Sequence, residues 1–375
     1  MSKSGLKSEI KYKKIVFKLR NFLKIYTFQG RPLERVANNV YPIWAHIQTV
    51  LGMSEDVAES YAEGYGYYKQ DGKYAQHTII HANEKFTKEM NQMAGKCLSS
   101  SLRGEKIEGS RIAEVYGRIY ADIFSTDKLI LPSTKINIRL WPSTDEFRLM
   151  GIHPEQGGGY ELKILDASLQ VVCYKLTSAL HLAQEKSLGD SAIARYFFYK
   201  TVSRQFTLSK NDLSFTASDI WSGIIPSKMY FVMISSDAFS GRLNKNPFFF
   251  HHYNCSSFGC IKSGYPLPGG SFLQMDYNND LVLEAYMNTF RTLGYEGTSK
   301  SCCLSYPDFK FANNIYCFTS DYVDCATANY LPAIQNGQID LNITFSKPLI
   351  HSVTLLAIGR HPAALSLDGV RNAIV

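Results

Sequence analysis

The sequence predicts a mainly β protein built as two similar β sandwiches or jelly rolls in tandem, with a few short helices in connections. Three observations carry this. Many segments alternate apolar and polar residues at period two, which is the periodicity of a half-buried strand. Aromatics are abundant, with 24 Tyr and 22 Phe in 375 residues, and such side chains suit pleated surfaces. Short sequence elements also recur in the same order in the two halves.

The clearest strand is IDLNITF, which places Ile339, Leu341, Ile343 and Phe345 on one face. KINIRLW does the same with Ile136, Ile138 and Leu140. Further strands are expected at 160–164, 169–176, 196–208, 228–234 and 352–359, separated by Gly, Pro, Asn and Asp. Helical spacing is confined to 41–52, 178–189, 281–294 and, weakly, 324–337. Strand-rich chains whose helices lie only in connections favour sandwiches and jelly rolls.

The repeat has a grammar. Gly30-Arg-Pro-Leu33 precedes Ala45-His-Ile-Gln-Thr-Val50, and Gly264-Tyr-Pro-Leu267 precedes Ala285-Tyr-Met-Asn-Thr-Phe290. Ile136-Asn-Ile-Arg-Leu140 then answers Leu341-Asn-Ile-Thr-Phe345. Between the last two echoes the first copy is about 35 residues longer, which places a projecting insertion within 53–110. Before the helix echo the first copy is about fifty residues shorter, a deficit of two to three strands if the second copy begins near Asp190. The expected boundaries are a basic arm at 1–24, a first unit at 25–188 and a second at 189–375.

Hydrophobic content of 45% with 19% charge marks a folded chain. The net charge of +7 is localised, since residues 1–35 hold ten Lys or Arg against Glu9 and Glu34. The rest is close to neutral, which argues against a nucleic-acid-binding body. The basic segment reads as a solvated arm. Tyr12, Ile15, Leu19, Phe22, Leu23 and Tyr26 also allow an amphipathic helix, and the charge allows contact with nucleic acid or a membrane surface. Lys18, Arg20 and Lys24 interrupt any signal-peptide core, and no apolar run is long enough to span a bilayer. The expectation is an intracellular, non-secreted protein whose eight cysteines are mostly reduced thiols.

The stretch PFFFHHYNCSSFGCIKSGYPLP (247–268) concentrates soft ligands. On an extended strand His251 and His252 point to opposite faces, and H-H-x2-C-x4-C is not a usual zinc spacing. The expectation is strand packing with an exposed histidine, and no metal site and no cofactor. Vicinal Cys302-Cys303 with Cys317 and Cys325 reads as core thiols. Gly157-Gly-Gly159 reads as a turn, and Asp145-Glu146 and Asp237 as solvated loop carboxylates. The usual nucleophile-elbow, zincin, P-loop and dinucleotide signatures do not occur, so no catalytic residue is assigned and no enzyme is expected.

In their order, KLILPSTKINIRLWPSTDEFRLMG, YELKILDASLQVV, TSALHLAQEKSL, RQFTLSKNDLSFTASDIWSGIIPSKMYFVMISSDAFSG and NPFFFHHYN resemble the major capsid protein of Polinton (Maverick) elements, virus-like DNA transposons of eukaryotes. The resemblance runs over roughly 25–375. It implies a double jelly roll of the adenovirus-hexon type, with two eight-stranded rolls side by side and three chains forming a pseudo-hexagonal capsomer that tiles a shell. It also implies a single jelly-roll penton protein as a further partner. Members of that family carry strands before FLKIYTFQGRPL where this chain is lysine-rich, so the first roll is expected to lack its initial strands. A decayed or repurposed genomic copy, binding through its basic arm, is the alternative. NPFFF (246–250) is read either as an interface anchor or as core.

Overall fold

Alternation at period two governs most of the chain in the computed structural model, which describes residues 39–69, 110–126, 128–149, 162–190, 192–242, 245–320 and 334–374. Three positions within 103–107 and the backbone of three strands between 11 and 35 are also described. The strands are β1 Lys11–Val16, β2 Phe22–Phe28, β3 Arg31–Arg35, β4 Ile136–Pro142, β5 Ser168–Cys173, β6 Ala194–Leu208, β7 Ser214–Ile224 and β8 Lys228–Ser235. They continue with β9 Cys255–Lys262, β10 Tyr265–Leu267, β11 Leu273–Gln274, β12 Ile315–Thr319, β13 Asn336–Phe345, β14 Val353–Leu367 and β15 Ala373–Ile374. The three long helices are α1 Val40–Gly52, α2 Ser178–Gly189 and α3 Leu283–Leu293.

The second half is a jelly roll by its pairing alone. Counting its main strands in chain order, the first pairs with the eighth (β6–β14) and the second with the seventh (β7–β13). The third pairs with the sixth (β8–β12) and the fourth with the fifth (β9–β10). Such nesting is a long antiparallel hairpin wrapped around a barrel. Lateral pairs β14–β8 and β13–β9 close it into two sheets, β6-β14-β8-β12 and β7-β13-β9-β10, with β11 also on β9.

The first half repeats part of this scheme. The order β3-β2-β4 matches β10-β9-β13, and β1–β5 matches β8–β14. The three echoes fall on equivalent elements: β3 and β10, α1 and α3, β4 and β13. Residues 11–16 and 22–28 are strands, so the amphipathic-helix reading of the arm is wrong. Ile15, Val16, Ile25, Tyr26 and Thr27 are good strand formers, and the partners β5 and β4 decide the matter.

Burial explains which runs alternate. In β13, Ile339, Leu341, Ile343 and Phe345 are buried and their neighbours less so, as a sheet with one covered face requires. In β8, every residue from Met229 to Ile234 is buried. Phe231 meets Phe258 of the facing sheet, while Tyr230 on the other side meets Trp44 of α1. α1 is buried almost all round, which marks a helix enclosed by the fold. α3 stops at Gly294, whose φ of 73° lets its N–H return to Phe290 and Arg291 carbonyls.

Three further expectations need correction. Residues 162–167 have no regular structure and the strand begins only at Ser168. The weak helical pattern ending at 337 gives way to β13 from Asn336, while residues 321–333, with Cys325, lie outside the described residues. The start of the 53–110 segment does not project, because Ala58, Ala62 and Tyr67 are buried in the main core. Residues 70–102 (with Cys97), 1–10 of the arm and Gly157–Gly159 also lie outside the described residues.

Candidate functional site

His251 and His252 do not sit on a strand. Tyr253 and Asn254 both take left-handed backbone angles, φ 48° and 53°, and β9 starts only at Cys255. The parity argument therefore fails at its premise. The two imidazoles stack with centroids 4.3 Å apart, and His252 stacks on Tyr277 at 3.8 Å. Each Nδ1 accepts a backbone N–H two residues on, from Tyr253 at 2.8 Å and Asn254 at 2.9 Å. Burial lowers His251 to about 4, aided by nearby His351, and lowers His252 to about 3, aided by His251 and Lys310. Both rings are neutral packing groups at neutral pH.

Beneath them is a polar aromatic network. The hydroxyls of Tyr277 and Tyr316 are 3.0 Å apart, and Asn314 Nδ2 donates to Tyr277 at 2.7 Å. Tyr253 reaches His351 Nε2 at 3.4 Å. Burial pushes the Cys255 thiol up to about 12 and raises Cys260 as well, so neither is a thiolate nucleophile. Cys303, Cys317 and the half-buried Cys302 are also free thiols raised by burial. Among the described residues no three His, Cys, Asp or Glu side chains converge as metal ligands. Asp145 pairs with Arg148, and Lys245 and Arg242 hold exposed Asp237 below the usual carboxylate range. The chemistry of this end of the roll is hydrogen bonding and stacking.

The surfaces are more informative. NPFFF belongs to the seam between the halves. Phe250 is fully buried, and Phe248 packs on His46 of α1 at 5.2 Å and Phe147 at 6.0 Å. His46 Nε2 lies 3.2 Å from Asn313 Oδ1, Cys303 N donates to Val50 O, and Tyr67 meets Cys303 Sγ at 3.3 Å. A second apolar cluster joins Ile123 and Leu131 to Tyr196, Phe198, Leu365 and Leu367. The spacing between echoes carries no trace of this seam, since its residues lie up to about 270 positions apart.

Several apolar side chains of the first half are exposed. Val171, Val172 and Tyr174, on and just after β5, are 41%, 53% and 49% exposed. Leu180 and Leu182 of α2 are exposed too, and Leu188 is its buried residue. Among the described residues no helix is long and apolar enough to cross a membrane.

No known protein family profile matches the sequence. An uncharacterized protein of Caenorhabditis elegans, F54H12.2, is 22% identical over 194 residues, 52% of this chain and 46% of that protein. The match thus spans about half the length of that relative. Among solved structures, a chain of the Sputnik virophage particle overlaps with 10% identity and a TM-score of 0.47, covering 100% of this chain and 78% of that one. The mavirus major capsid protein overlaps with 8% identity and a TM-score of 0.41, covering 96% and 78%.

Proposed function

We propose that this chain is a structural, capsid-type subunit whose work is self-association rather than catalysis. One observation supports the reading above the others: the nested pairing of the jelly roll at 194–367 recurs in part at 11–173, and α1 welds the two halves side by side. That arrangement fits the double jelly roll implied by the sequence resemblance to Polinton capsid proteins. The finer reading is a first roll that takes in β1 and so begins by residue 11 rather than 25, a second within 189–375, three copies forming a pseudo-hexagonal capsomer, and capsomers meeting one another and a penton protein in a virus-like particle inside the cell. Interfaces of obligate assemblies typically exceed about 2,000 Å² and resemble a core cut in half, and the apolar side chains exposed on β5 and α2 suit such burial. The basic segment does not favour the alternative of a free binding arm, because Lys11, Lys13 and Lys14 belong to paired β1.

Light scattering on the size-fractionated protein tests this. The expected species is a trimer at about three times the 42.3 kDa chain mass. A strict monomer at micromolar concentration would overturn the reading.

A further inference from the structure

α3 repeats α1 in sequence but not in surroundings. In the register that sets Ala285 on Ala45, Leu283, Met287 and Phe290 stand where α1 has Ile43, Ile47 and Val50. Around a helix of about 3.6 residues per turn, one arc of α1 runs through Trp44, Ile47, Ile43, Val50 and His46. Both ends of that arc touch the second half, Trp44 on Tyr230 of β8 and His46 on Phe248 and Phe250. The three aliphatic residues between them are buried. On the same arc of α3, Leu283 is 57% and Met287 43% exposed, and Phe290 is half-buried. The opposite side of α3 is satisfied within its own roll: Ala285, Asn288, Thr289 and Thr292 are buried, and Asn288 donates to the Cys317 carbonyl of β12. A surface helix ordinarily turns polar residues outward. α3 turns a leucine and a methionine outward at the positions α1 uses for its seam.

The departure from α1 is a charge with a match. Glu284, exposed, stands where α1 has Trp44. Trp44 covers β8, and the counterpart of β8 in the first half is β1, whose sequence KYKKIV carries Lys11, Lys13 and Lys14. Where the seam inside the chain has a pair of rings, α3 and the first half have opposite charges. Next to β1, β5 exposes Val171 and Val172, apolar partners for Leu283 and Met287.

We propose that the outward arc of α3 docks on the β1–β5 sheet of a second copy of this chain, repeating between copies the seam that α1 makes with β8 inside one. Leu283 and Met287 are the apolar anchor, and Glu284 selects the basic strand. The two patches differ, so the contact is head-to-tail, and successive copies close a ring. The inference deepens the self-association reading and rests on it for the number of copies in that ring.

The test uses two full-length chains, each with Cys97, Cys302 and Cys325 changed to Ser. The donor also carries Cys173→Ser and a single cysteine placed in turn at 283, 287 and 291. The acceptor keeps exposed Cys173, at the end of β5, and a mass tag. Mixed under mild oxidation, they are expected to form donor–acceptor dimers whose yield depends on the donor position and vanishes with a Cys173→Ser acceptor. Glu284→Lys in the donor is expected to slow cross-linking at least about tenfold. In the dilute donor the thiol at 287 is expected to alkylate as fast as an exposed cysteine. A protected thiol would overturn the proposal, since it would show that the chain itself covers the arc. So would the absence of cross-linking at all three positions. Assembly that persists in a Leu283→Glu, Met287→Glu chain overturns the docking and leaves self-association standing. Donor–acceptor cross-linking in a chain that light scattering finds monomeric supports the docking and overturns the ring.

Discussion

The indole of Trp44 lies 5.3 Å from the ring of Tyr230, tilted by 54°, and through this pair α1 of the first half closes over the outer face of β8 in the second. The Arg360 guanidinium sits over both Trp44 and Tyr199, adding cation–π attraction at the same seam. Trp44→Ala is expected to cost about 3–5 kcal/mol, the usual range for removing a buried large aromatic. Trp44→Phe is expected to cost far less, since the indole Nε1 is buried without a hydrogen-bond partner. Denaturant titration of both variants checks the order; equal losses would count against a packing role.

Phe248 provides a second test of the seam. If NPFFF served as an anchor between subunits, Phe248→Ala would weaken self-association and leave the fold intact. Its rings of contact, His46 and Phe147, belong to the same chain. The expected outcome is therefore a loss of about 2–3 kcal/mol in unfolding free energy, less than for a fully buried Phe. Thermal unfolding at two protein concentrations separates the two readings.

Stability should fall on mild acidification through the stacked histidines. An unfolded histidine titrates near 6.5, whereas His251 and His252 titrate at about 4 and about 3 when folded. The unfolded chain thus binds more protons between these limits, so stability is full above about pH 6.5 and is lost as pH drops toward 3–4. Protonation would set like charges 4.3 Å apart, with His351 acting on His251 and Lys310 on His252. A loss on the order of 4 kcal/mol, about 2 from each ring, is expected between pH 7 and pH 5. Melting curves across that range should flatten in His252→Phe; an unchanged slope would sink the assignment.

Gly359 lies in β14 directly under Trp221. A Cβ there would stand 2.9 Å from the indole and 3.0 Å from Pro226. Trp221 is itself buried and cannot swing aside cheaply. Gly359→Ala is expected to destabilise by about 1–3 kcal/mol through overpacking. Near-UV circular dichroism of the tryptophans, alongside a denaturant titration, reads the strain and its location.

Much of the architecture was legible because strand burial is written at period two. β13 and β4 announce themselves in Ile339–Phe345 and Ile136–Leu140, and α1 in Tyr41–Gly52. The echo GRPL to GYPL located equivalent strands 234 residues apart. Residues 11–16 and 22–28 misled, because Tyr12, Ile15, Phe22 and Tyr26 satisfy a helical spacing by coincidence while distant partners impose strands. His251 and His252 misled for a different reason. Two successive left-handed residues, neither of them glycine, ended the extended geometry where the local pattern promised its continuation. The seam was illegible, because His46 meeting Asn313 is a fact about three dimensions and not about spacing.

The near-complete enclosure of α1 has a consequence for how the two halves can evolve and be handled. A duplicated unit is normally separable: one copy can drift, be lost or be borrowed by another protein. Here a helix of the first copy fills its role only against the sheet of the second, covering Tyr230 while its own Val40, Ile43 and Ile47 are shielded in return. Residues 189–375 alone would present a bare aromatic sheet face to water, and the first half alone would lose the enclosure of its helix. Each half is the other's missing wall.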